Sequence, residues 1–316
     1  MLYVDTESFD PCFNFGVEVL FCERHPADEP VMLLWGTDPC VMLGRFQTLR
    51  AELSPEYVRC HGITVVRRLS GGGAIYTDRG GRQFSFIEPA GEEISFAPYM
   101  RRIAGALRDM GFPVEITGRN DMLLGGKKFS GNAQFRKGGM CVHHGSMLFD
   151  TDLEALAAAT APDPEKLISK GVQSVRERVC NLRPADPLGR DVETFAKDLA
   201  ARVADRSRRL TCQERAEAEE IAKAMFRDPG ALYGRDPQCE IVRTRRFAGG
   251  TLTAEIGTKG GSITALHFSG DIFGDDPAPL IRKLVGLPHR EESLRAAITV
   301  SPFYKITAED LIQLLK

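Results

Sequence analysis

No apolar run in this 316-residue chain approaches the roughly 20 residues needed to cross a bilayer. The opening Met1-Leu2-Tyr3-Val4-Asp5 lacks the basic and apolar regions of a secretory signal, so a cytoplasmic protein is expected. A dominant charge is missing too. The 41 Lys and Arg residues nearly balance the 43 Asp and Glu residues, giving a net charge of −2. That argues against a nucleic-acid binder held by general electrostatic attraction, though a local basic groove stays open. Eight cysteines are scattered without a C-x-x-C pair, so neither a zinc site nor a disulfide framework has supporting spacing. They are expected to be reduced packing residues, Cys141 among them. Internal repeats and low-complexity segments are absent.

What is present is the composition of an ordinary globular protein, 43% hydrophobic and 27% charged. The length suits a catalytic domain with a smaller partner. Asp10-Pro11 reads as a helix N-cap with proline at the first helical position, and Phe13, Val17, Leu20 and Phe21 then share a face. Apolar runs at 31–35 and 40–43 flank a hairpin-like turn, Gly36-Thr37-Asp38-Pro39. Strands are expected at 63–66, 74–76 and 83–87, and a helix at 98–110 that stops at Gly111. A meander of strands follows over 113–116, 122–124, 129–135 and 141–149. Two helices, 192–205 and 211–226, close this part, the second opening on a capping-box pattern at Thr211. The polar stretch from Arg227 to Gln238 resembles a linker. Strands at 241–247, 251–257 and 262–268 then precede helices at 277–285, 291–298 and 308–315. The pattern predicts an α+β fold, with a catalytic domain over 1–233 and a small α+β domain over 234–316.

The most informative segment is Arg67-Arg68-Leu69-Ser70-Gly71-Gly72-Gly73-Ala74, placed after the β-branched run Ile63-Thr64-Val65-Val66. Glycines tolerate positive φ and let backbone N–H groups come close to a ligand. With arginine beside them they predict a cradle for phosphate or carboxylate. The spacing fits neither the Walker loop nor the dinucleotide fingerprint. Three more clusters stand out: Gly118-Arg119-Asn120-Asp121, the run Gly125 to Ala133 centred on Lys127-Lys128-Phe129-Ser130-Gly131, and Val142-His143-His144-Gly145-Ser146. Taken singly, each reads more readily as solvated charge or core. Adjacent histidines on a strand face opposite sides, so only one can enter a given site, and no third ligand supports a metal.

Taken in order, these motifs resemble the lipoate–protein ligase family. Gly44-Arg45-Phe46-Gln47 and Asp10-Pro11-x-Phe13-Asn14 add to the resemblance over residues 1–230. Gly260-x-Ser262-Ile263 and Gly270-Asp271-Ile272-Phe273 resemble the accessory C-terminal domain of the same enzymes. The resemblance implies the mixed-sheet fold of biotin and lipoate ligases, with ATP as cofactor, and Mg²⁺ is expected because ATP brings several negative charges. Lipoate would attack the α-phosphorus of ATP to give lipoyl-AMP and pyrophosphate. An acceptor lysine would then take the acyl group, on a lipoyl domain of a 2-oxoacid dehydrogenase E2 subunit or on a glycine-cleavage H protein.

Joining a carboxylate to a phosphate brings two anions together, so a cation must sit between them. The resemblance gives that role to Lys128, electrostatic and orienting. It places Arg68, Gly73, Ala74, Ile75, Tyr76, Asn120 and Asp121 at the nucleotide, and Ser70, Gly72 and His144 with Lys128 at lipoate. Apolar candidates for the lipoyl slot lie near 41–43 and at Val142. The chain departs from the family at Thr77-Asp78-Arg79-Gly80-Gly81, where His-Asp-x-Gly-Asn is usual, and at Thr48, where Asn is usual. The acid could then be lipoate, octanoate or a relative. The main rival is an acyltransferase with a cysteine nucleophile, but no cysteine lies at the Arg119-Asn120-Asp121 turn. A biotin ligase has a different glycine loop, and a non-catalytic lipoate binder would have little need of Lys128.

Overall fold

The structure, a computed structural model, describes residues 1–24, 29–47, 52–91, 94–160, 178–228, 239 and 241–316. The expected linker up to Gln238 and Thr48 fall largely or wholly outside these residues. By internal contact the chain forms two compact units. One comprises Met1–Leu43, Leu49–Arg68 and Ala74–Leu232, and the other Gly44–Thr48, Leu69–Gly73 and Tyr233–Lys316.

In the first unit, β1 (Leu2–Asp5) is followed by α1 (Pro11–Arg24), β2 (Val31–Trp35) and β3 (Cys40–Leu43). Next come α2 (Pro55–Cys60), β4 (Thr64–Arg67), β5 (Ile75–Thr77), β6 (Gly81–Pro89) and α3 (Ala97–Asp109). The meander is β7 (Val114–Thr117), β8 (Asp121–Leu124), β9 (Lys127–Lys137) and β10 (Met140–Leu148). The unit finishes with α4 (Leu153–Ala159), α5 (Val192–Val203), β11 (Arg206–Arg209) and α6 (Cys212–Met225). Among the described residues, eight strands make one mixed sheet in the order β11-β1-β2-β6-β10-β9-β8-β7. Strands β1, β2 and β11 are parallel neighbours, and the rest pair antiparallel. A small second sheet runs β4-β3-β5.

Burial explains the central elements. Every residue of β2 is buried, as expected of a strand covered on both faces. Helix α1 is buried continuously from Pro11 to Cys22, and the Cys12 N–H donates to the Asp10 carboxylate at 2.9 Å, completing the expected cap. At Gly16 the backbone of α6 comes so close that a Cβ would stand 2.3 Å from the Ala218 carbonyl oxygen. The capping box at α6 forms as the sequence predicts, with Glu214 N–H donating to Thr211 Oγ1 at 3.1 Å.

The hairpin expected across Gly36–Pro39 does not form. Strand β2 already has β1 and β6 on its two edges, so β3 joins the other sheet. Two strands go beyond the sequence reading, β1 and β11. The latter is Arg-Ser-Arg-Arg and has no apolar residue to signal it.

In the second unit, β12 (Ile241–Phe247), β13 (Gly250–Lys259) and β14 (Ser262–Gly270) form an antiparallel sheet. Helices α7 (Ala278–Leu284), α8 (Glu291–Ala297) and α9 (Ala308–Leu315) follow, as the pattern predicts. Phe46 belongs to this unit's core, its ring 5.6 Å from that of Phe303.

Candidate active site

Lys128 sits on a distortion in the β8–β9 ladder. Met122 pairs with Ser130 but Leu123 pairs with Lys128, so Phe129 is an extra residue on β9. Such a bulge re-aims the side chains beside it. Phe129 turns into the core, fully buried. Lys128 turns into a cavity of about 490 Å³, within the usual range for small-molecule sites. Its Nζ lies 2.8 Å from Asp121 Oδ1.

The cavity brings together Ala74, Ile75, Tyr76, Asp121 and Lys128 of the sequence-predicted site. It adds residues that carried no sequence signal: Leu148 and Leu156 on its apolar wall, and Arg178 and Glu52 as further charges. These come from distant segments, so only folding brings them together. No cysteine lines the cavity among the described residues. The half-buried Cys180 lies against the Lys127 carbonyl, and burial pushes its thiol up, opposite to what a thiolate nucleophile needs.

The remaining expected residues fall elsewhere. Arg68 is buried at the end of β4, where its Nη1 donates to the Met42 carbonyl at 2.9 Å. Desolvation, reinforced by neighbouring Arg67, lowers the guanidinium to about 10, which leaves it charged at neutral pH. Asn120 closes a reciprocal clasp with Asn132: each side-chain amide donates to the other's backbone carbonyl, at 2.8 and 3.1 Å. The two histidines part to opposite faces, as strand geometry requires. His143 stacks on Tyr99, centroids 4.4 Å apart, and lies between Gln134 and Asn132. His144 is buried against Glu18, Nδ1 to Oε1 3.0 Å, and does not line the cavity. Ser85 also donates to that carboxylate, at 2.5 Å, and receives the Trp35 indole N–H at 3.3 Å. Val41, Leu43 and Val142 are fully buried core rather than a slot.

Ser70, Gly72 and Gly73 belong to the second unit, and here the reason for the glycines changes. A Cβ on Gly71 would stand 1.8 Å from the Ile272 carbonyl oxygen, and the Gly72 N–H donates to that same oxygen at 2.7 Å. Gly72 also has φ +88°, a left-handed conformation that favours glycine. Close packing and turn geometry therefore account for glycine at two of the three positions. At Gly73 a Cβ would meet nothing within 4 Å among the described residues.

The departures at Thr77 and Gly81 lie side by side. Thr77 Oγ1 accepts from Gln83 Nε2, and a Cβ on Gly81 would press to 3.0 Å on both Thr77 Oγ1 and Thr151 Oγ1.

The fold and cavity define an enzyme-type α+β scaffold in which a lysine–carboxylate pair faces a small-molecule site. Comparison with known proteins makes the class specific. Residues 10–204 match the Lipoyl protein ligase A/B catalytic domain, and residues 236–315 the Bacterial lipoate protein ligase C-terminus. The chain is 32% identical to Lipoate--protein ligase 1 of Staphylococcus aureus over 97% of each chain. It is 30% identical to Lipoate-protein ligase LplJ of Bacillus subtilis over 100% of each. It belongs to the lipoate–protein ligase family.

Solved structures show the same fold at lower identity. Plasmodium falciparum LipL1 in complex with lipoate matches with a TM-score of 0.79 at 18% identity, over 99% of this chain and 96% of that one. A bipartite ligase of Thermoplasma acidophilum, studied with its E2 lipoyl domain, matches at 0.65 and 24% identity, over 76% and 98%. A lipoate-protein ligase A bound with ATP matches at 0.62 and 23% identity, over 74% and 98%.

Proposed function

We infer that the protein is an ATP-dependent lipoate–protein ligase: it activates lipoate as lipoyl-AMP, releasing pyrophosphate, and passes the acyl group to an acceptor lysine with release of AMP. One observation carries the site assignment. Lys128 projects into a cavity that combines the Ala74-Ile75-Tyr76 segment with an apolar wall of Leu123, Leu148, Leu156 and Val179. Lipoate needs that combination, since its tail is apolar while its carboxylate must meet a phosphate.

In this reading Lys128 lies between the lipoate carboxylate and the α-phosphate, relieving repulsion and stabilising the charge that develops as the new bond forms. Arg178 offers a second cation, and the backbone of Ala74–Tyr76 a wall for the nucleotide. Arg68 and Gly73 are read as nucleotide contacts, and Ser70 and Gly72 as lipoate contacts. His144 would act on the acyl pocket only indirectly, through β10.

Mg²⁺ is tested by the donor set. Among the described residues no cluster of three metal-ligating side chains occurs, and the cavity's carboxylates are Glu52 and Asp121. Magnesium takes one or two carboxylates with phosphate and water, so it fits as a companion of the ATP phosphates, and Glu52 would be the cavity carboxylate to hold it. When bound it would neutralise phosphate charge.

The acceptor is read as a lipoyl domain of an E2 subunit or an H protein that presents its lysine on a hairpin. No helix among the described residues is long and apolar enough to cross a membrane, and a cytoplasmic enzyme is the reading kept. The test is ATP-dependent transfer of lipoate, with octanoate in parallel, onto a panel of such acceptors. Transfer without ATP would point instead to an acyltransferase.

A further inference from the structure

We propose that Asp121 and Gly131 form a seat that aims the Lys128 ammonium, with Asp121 a positioning residue rather than a ligand of nucleotide or metal. The inference rests on the reading of Lys128 as the cation of the adenylation step.

The geometry begins with register. Asp121 and Gly131 are directly paired across β8 and β9, so substituents at these positions point to the same face. The bulge at Phe129 brings Lys128 back over that pair. Its Nζ is 3.0 Å, and its Cε 3.1 Å, from the place a Cβ on Gly131 would occupy. The missing side chain is thus the space through which the lysine reaches Asp121. Among the described residues nothing else comes within 4 Å of that place, and Gly131 is outside the positive-φ set, so neither backbone strain nor other described packing demands glycine there.

The carboxylate end is held as well. Asn120, one residue before Asp121, is fixed by its clasp with Asn132 and by the Asn132 N–H to Asn120 carbonyl bond at 2.9 Å. Asn132 in turn meets His143 Nε2 at 3.0 Å, in the buried core. A chain of contacts thereby runs from the core to Asp121.

A half-exposed ion pair, with its partners 40% and 36% accessible, does little for stability. Its consequence is directional. A free lysine samples many rotamers, whereas a cation that must lie between two anions needs one.

The test is single-turnover pyrophosphate release by the full chain at saturating lipoate and Mg·ATP, alongside ATP binding and magnesium titration. Gly131→Ala displaces only the flexible end of Lys128, so folding is preserved. It and Asp121→Asn should each slow release by roughly 10- to 100-fold, as a misplacement near 1 Å does. ATP affinity should stay within about threefold, and Asp121→Glu should recover part of the rate. On a Lys128→Ala background, Asp121→Asn should change little further, because its effect runs through the lysine. Weaker ATP binding or a raised magnesium requirement for Asp121→Asn on that background would make Asp121 a ligand and overturn the proposal. A wild-type rate in Gly131→Ala would overturn the seat. If the wild-type protein itself releases no pyrophosphate with lipoate, the functional reading falls, and the seat with it.

Discussion

Lys128 is a residue whose removal separates chemistry from folding. It is partly exposed and lies at the mouth of a cavity, so Lys128→Ala should leave thermal unfolding unchanged. Losing the charge between two reacting anions should lower lipoyl-AMP formation by roughly 10²- to 10³-fold, read by quenched-flow detection of the adenylate. His143 makes a different case, a fully buried group whose titration bears on stability. Burial, with His144 and Arg102 adding to it, holds its imidazole well below the usual value. The unfolded chain therefore binds a proton below about pH 6.5 that the folded protein refuses. Stability should fall as pH drops below that point, by at most about 1.4 kcal/mol per pH unit from this group. Urea unfolding between pH 7 and 5 reads the slope, and His143→Gln should flatten it. A slope unchanged in that variant would place the dependence elsewhere.

At the level of elements, glycines decide where backbones may touch. Gly16→Ala must push α1 off α6, because its Cβ would meet the Ala218 oxygen at 2.3 Å. A loss of about 1–3 kcal/mol is expected by denaturant unfolding. Gly71→Ala cannot be accommodated 1.8 Å from the Ile272 oxygen, so the Gly72 N–H to Ile272 bond should open. Hydrogen exchange at the Gly72 amide should then accelerate, while Gly73→Ala leaves it protected.

The glycine loop also marks how far the sequence could be read. Its presence and the strand before it were legible, but its partner is a backbone carbonyl some two hundred positions later, which no local pattern encodes. The same limit hid the β-bulge at Phe129, since register is a property of two strands. Strands with alternating or continuous apolar residues, such as β13 and β2, were visible from the chain alone. Polar β11 was not, because its pairing with β1 rather than any burial makes it a strand. Lys128, Asp121 and Ala74–Tyr76 were readable from ordered motifs, whereas Arg178 and Leu156 reach the same cavity from segments without a motif.

For the whole molecule, the division into two units does not follow a single cut in the chain. The second unit takes in Gly44–Thr48 and Leu69–Gly73, and Phe46 lies in its core. Arg45 adds an ion pair to Asp276 at 2.8 Å. A chain ending near residue 233 would therefore leave Phe46 and the glycine loop without their partners. Such a truncation should lose nucleotide-dependent activity even if the large sheet folds, which circular dichroism and an adenylation assay together can show.

The role of Lys128 in activating lipoate is read most directly by ATP–pyrophosphate exchange in the intact protein, with and without lipoate. Exchange should require lipoate and fall to background in Lys128→Ala. Exchange indifferent to lipoate, or undiminished without Lys128, would contradict that role.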